Sequence, residues 1–178
     1  AIAMSELGFT PNNDGKIAAG FAAQSMADAV PELAAEAATA MMEVAPDSAG
    51  AIAGGVARGD ADIAAQVATD MVNANPELMG DIAGGVAQMA PGAAGDVAGA
   101  MVEANPDGAA DMAAAVAENV PGAAGAVAGA IAEADPALAA EAAGAMMEAN
   151  PAAASAAAAG MANASPEVAG DVAGAMME

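Results

Sequence analysis

The sequence predicts an all-α fold: an α-solenoid of short antiparallel helices, one helix per 15-residue repeat, paired as helical hairpins. Three observations carry this. Proline recurs in one 15-residue register, apolar residues within each unit recur at helical spacing, and consecutive units leave only one or two residues for a reversal. Units begin at Lys16, Pro31, Pro46, Ala61, Pro76, Pro91, Pro106, Pro121, Pro136, Pro151 and Pro166. Residues 16–178 therefore form a repeat domain of 11 units, the last truncated.

Residues 1–15 fit no repeat and are expected to form an N-terminal cap or assembly arm. Within them Asn12-Asn13-Asp14-Gly15 is oxygen-rich but lacks the downstream acid of a calcium loop, so it reads as a turn before the first helix.

Each later unit starts the same way. The residue ahead of the proline is often a good N-cap, as at Asn75, Asn105, Asp135, Asn150 and Ser165, whose side-chain oxygens can accept from first-turn amides. Proline then occupies the first helical position, where its missing N–H costs nothing. An acid often follows (Glu32, Asp47, Glu77, Asp107, Glu167), placed to interact with the positive end of the helix dipole. The next proline ends the helix by restricting the residue before it. About 12 helical residues make a rod of roughly 18 Å. So short a helix is marginal alone in water, and its stability has to come from packing against other units.

Counting from the start of each unit, larger apolar residues fall at positions three, seven and eleven, with alanine often at four and eight. Leu33 and Met41, Ile82 and Val86, and Val97 and Met101 show the stripe. The 14 methionines lie on or beside it, which assigns them to the core in preference to a copper site or an adaptable binding groove. A partial two-unit rhythm at positions eleven and twelve supports hairpin pairs: Met41-Met42, Val56-Ala57, Met71-Val72, Val86-Ala87, Met101-Val102, Val116-Ala117. It slips at Ile131-Ala132.

Beside the stripe runs a ridge of small residues at positions five and nine, seen in Gly50 and Gly54, Gly80 and Gly84, Gly95 and Gly99, Gly125 and Gly129, and Gly170 and Gly174. A mid-helix glycine costs about 0.5–1 kcal/mol relative to alanine, so the pairs are expected to allow close backbone approach between helices.

The opposite face carries acids at positions two, six and thirteen. Glu32, Glu36 and Glu43 in one unit, with Glu141 and Glu148 in another, are weak candidates for divalent cations. Calcium wants about six to eight converging oxygens, which a regular ladder of single acids does not supply, so a solvated face is the expected role. The chain has 24 acids against Lys16 and Arg58, a net charge of −22. Such a surface repels nucleic acid and anionic membranes and favours cations or basic partners.

Mean hydropathy is +0.46, yet prolines and acids interrupt every stretch long enough to span a membrane, so no membrane span is expected. Without histidine or cysteine the usual nucleophile and base pairs cannot be assembled, and without tryptophan or tyrosine the preferred stacking rings are missing. No enzyme and no cofactor is expected.

The ends suggest a role. The last unit, PEVAGDVAGAMME, resembles an interior one and presents no polar cap, while Ile2, Met4, Leu7, Phe9 and Phe21 concentrate apolar side chains at the other end. Those residues, with Val168, Val172, Met176 and Met177, are the expected contacts of a head-to-tail homopolymer. The expected function is a structural, self-assembling protein forming a filament or sheath. An initial Ala1 fits a processed, secreted and hence extracellular product. The alternative is a monomeric acidic solenoid that binds divalent cations or a basic partner. Ice binding is a weaker option, because Thr39 and Thr69 are isolated and form no array.

Overall fold

The computed structural model describes residues 11–177. Among them it places eleven α-helices and no strand: α1 (Pro11–Ala29), α2 (Pro31–Val44), α3 (Ala49–Gly59), α4 (Ala61–Ala74), α5 (Met79–Met89), α6 (Ala94–Ala104), α7 (Ala109–Asn119), α8 (Ala124–Ala134), α9 (Ala139–Ala149), α10 (Ala154–Ala164) and α11 (Ala169–Ala175). The predicted repeat is thus realised as one helix per unit. No helix among the described residues is long and apolar enough to cross a membrane.

The reversal between units uses a single residue. A following proline disfavours the helical region for that residue in every unit but the one starting at Ala61, where Asp60 takes the same conformation; φ runs from −137° at Ala45 to −151° at Asn150. Both of its backbone groups stay satisfied. The Ala45 amide closes the preceding helix on the Met41 carbonyl at 3.0 Å, and the Ala45 carbonyl accepts from the Ser48 amide at 2.9 Å. This second bond spans three residues, so most units open with one 3₁₀ turn, as at Pro46–Ser48, Pro91–Ala93 and Pro136–Leu138, before the α-helix proper.

Side-chain capping is used sparingly. Asp135 accepts from the Ala137 amide and Asn150 from the Ala152 amide, both at 3.0 Å, as does Asp60 from Asp62. Asn75, Asn105 and Ser165 make no such cap, contrary to expectation. The 3₁₀ turn and a side-chain cap are compatible, since at Asp135 and Asn150 the carbonyl accepts from the position-three amide while the side chain accepts from the position-two amide.

The expected turn before the first helix is also overturned. Asn12-Asn13-Asp14-Gly15 is helical, because Pro11 is itself a first-turn proline and α1 starts there. Asp14 then sits in the first turn, where the dipole favours an acid. The helix of the first unit consequently starts upstream of Lys16, inside the segment expected to be a cap.

The helices form two layers. Each packs most extensively against the helix two along, odd-numbered helices in one layer and even-numbered in the other, while consecutive helices touch across the layers. Gly50 of α3 lies beside Asp81 of α5, and Gly54 beside Gly85, so residue numbers rise together and the two helices run parallel. The intervening α4 is antiparallel to both.

A continuous core lies between the layers. Its interior units are buried at positions four, seven, eight, eleven and twelve, as with Ala64, Val67, Ala68, Met71 and Val72 of α4. The apolar stripe read from residue size is therefore rotated: position twelve is core, and position three is an edge where Leu78 and Leu138 are half-buried.

Candidate assembly surfaces

Neighbouring helices of one layer meet by a fixed rule. Positions five and nine of one helix face positions six and ten of the helix two along: Gly20 meets Ala51 and Gly55, Gly80 meets Ala115, and Gly125 and Gly129 meet Ala156 and Gly160. The ridge expected from the sequence exists, but it alone does not set the spacing. A methyl on Gly50 or Gly54 would fall 2.5 Å from the carbonyl oxygens of Asp81 and Gly85. On Gly95 or Gly99 it would only reach ordinary contact with Ala126 and Ala130, at 3.5 and 3.8 Å.

The difference lies at position ten. Gly55, Gly85 and Gly160 let the backbones close up, and a methyl on any of them would run into the carbonyl of the facing glycine; Ala115 and Ala130 hold their neighbours further off. These glycines mark the three most extensive helix contacts, α1 with α3, α3 with α5, and α8 with α10. They are visible in the sequence but lie outside the five-and-nine pattern.

Contact is most extensive within the odd layer over α1, α3 and α5, and within the even layer at α8 and α10. Two surface grooves follow this change of side. One of about 560 Å³ lies on α1, α3 and α5, and another of about 750 Å³ lies on α6, α8 and α10. The change coincides with the slip in side-chain rhythm at Ile131-Ala132.

On α11 the same ridge is open among the described residues: none of them approaches the Cβ positions of Gly170 and Gly174 within 4 Å. Of the residues expected to make assembly contacts there, Val168 and Val172 face the chain's own core at 5% and 2% exposure, Met176 is half-buried, and Met177 is 81% exposed. At the other end Phe21 is 59% exposed and Leu33 54%. Both depart from the other units: position six elsewhere carries an acid, Gln66 or alanine, and position three is buried or half-buried throughout α3 to α11. Ile2, Met4, Leu7 and Phe9 lie outside the described residues.

The acidic candidates Glu32, Glu36, Glu43, Glu141 and Glu148 are all exposed. Among the described residues no three carboxylates come together to hold a metal. One acid has a local role: the Ser165 hydroxyl donates to Glu167 Oε1 at 2.7 Å, and this bond, with one from the Glu167 amide, holds the carboxyl below its ordinary value. Asn150 makes the one long-range side-chain bond among the described residues, its amide donating to the Ala117 carbonyl at 2.9 Å and tying the start of unit ten to α7.

No family model, curated protein or solved structure matches this chain.

Proposed function

We propose that the chain is a structural protein that assembles head to tail, the helix stack of one copy continuing into the next. The observation that carries this reading is the open Gly170–Gly174 ridge on α11, which has the spacing of the ridges that seat a helix inside the chain. The exposed flank of α1 and α2, with the large apolar side chains Phe21 and Leu33 exposed at positions six and three, is the surface that would receive such a ridge. A contact between different surfaces repeats without closing when the rotation between copies does not return on itself, and the product is a filament.

Divalent-cation binding on the acidic face has less support, since its carboxylates do not converge among the described residues.

The test is sedimentation velocity with far-UV detection and negative-stain microscopy across protein concentration and salt. Polymers are expected, growing with ionic strength as screening shortens to about 8 Å at physiological salt and weakens repulsion between copies of charge −22. Gly174→Glu, placed where no neighbouring atom is disturbed, should leave a folded monomer, while Gly122→Glu, equally open but away from the ridge, should still assemble. A wild-type chain that stays monomeric at high concentration and high salt overturns the reading.

A further inference from the structure

We propose that the groove on α1, α3 and α5 binds a small carboxylate-bearing ligand with an apolar body. Its volume of about 560 Å³ lies in the range of small-molecule sites, roughly 300–1,000 Å³. Both cations of the chain, Lys16 and Arg58, line it, against only two of the 24 acids. They come from units two apart, which the layering brings side by side.

From the contact of Gly20 with Gly55, Lys16 lies one turn toward the helix N-termini and Arg58 nearly one turn the other way. The two are thus roughly 10 Å apart along the axis, within reach of one elongated molecule. Neither takes part in a side-chain hydrogen bond among the described residues. The apolar part of the lining comes from Ile17, Phe21, Met89 and Val120, of which Ile17 and Phe21 are exposed. On the floor, Gly84 has nothing within 4 Å of its Cβ position and leaves space that a side chain would otherwise fill.

The two acids, Asp47 and Asp81, set the sign and the limit. They balance the cations locally, so a polyanion gains little, whereas a single carboxylate can sit at one cation with its chain over Phe21. A charged hydrogen bond of this kind is stronger than a neutral one and selects the ligand's head group.

The experiment is isothermal titration calorimetry with octanoate, octylamine and octanol below their aggregation limits, on the wild-type chain and on the Gly174→Glu variant. Phe21 lines the groove and belongs to the proposed assembly surface, so the Gly174→Glu chain reads binding apart from assembly. Octanoate is expected to bind the Gly174→Glu chain, with octanol and octylamine at least about tenfold weaker, and to bind the wild-type chain less well where copies are assembled. Arg58→Gln and Lys16→Gln should each weaken octanoate, and Asp47→Asn should tighten it. Gly84→Leu fills the groove from a position where nothing lies within 4 Å and should abolish binding, whereas Gly122→Leu should not. Circular dichroism checks that each variant is folded. No octanoate binding, equal or tighter binding of octylamine, or unchanged affinity in Gly84→Leu would overturn the proposal.

Discussion

At the scale of single residues, two glycines one apart in sequence have opposite value. Gly85 faces the Gly50 carbonyl so closely that a methyl cannot be placed without moving a backbone, while nothing lies within 4 Å of the Cβ position at Gly84. Gly85→Ala should therefore lower stability by about 1–3 kcal/mol despite its better helix propensity, and Gly84→Ala should raise it by about 0.5–1 kcal/mol. Denaturant midpoints followed by far-UV circular dichroism would decide both. Asn150 holds the Ala152 amide and the Ala117 carbonyl together, so Asn150→Ala should cost about 1–2 kcal/mol. Ser165 and Glu167 add a pH effect. The Glu167 carboxyl is held below its ordinary value of 4.5 by the Ser165 hydroxyl and its own amide, so its contribution is present above that value. The contribution is lost as pH falls through the lower, folded value. Ser165→Ala should bring the Glu167 titration, read by NMR, back toward 4.5.

At the scale of one helix, most of the element is legible in the sequence. Proline at the first position, often with an acid behind it, and the next proline ahead set the bounds of most units, because these are local steric and electrostatic rules. The face is less legible. Residue size marks positions three, seven and eleven, yet the buried set is four, seven, eight, eleven and twelve. Alanine at four and eight and the small or branched residue at twelve carry little size signal, and only the facing layer shows that they are covered. The same cause hides the value of position ten, where Gly55, Gly85 and Gly160 differ from Ala115 by one methyl. Large side chains between the layers carry much of the packing: Met71 and Met101 are fully buried. Met71→Ala should cost about 2–5 kcal/mol by transfer and cavity terms, measured as a shift in the denaturant midpoint. The exposed Met177 should tolerate the same change with little effect on the monomer.

At the scale of the whole molecule, contacts pass mainly between units two apart in a layer and between neighbours across layers, so damage should stay local, as in other one-dimensional stacks. Hydrogen exchange on Gly160→Val should show loss of protection concentrated in α8 and α10, with α1 to α5 unchanged. The open ridge on α11 and the groove holding Lys16 and Arg58 belong to this scale too. The two cations stand 42 residues apart in the chain and become neighbours only because alternate units share a layer. By itself the sequence determined the period, one helix per unit, the bounds of the helices after α1 and the small-residue ridge and acidic face, since each depends on residues within one or two turns. Tertiary structure alone decided which small residue limits the approach of two helices, in which layer contact is most extensive, and which distant side chains meet in a groove. Those outcomes depend on the difference of one methyl group between surfaces that no local pattern brings together.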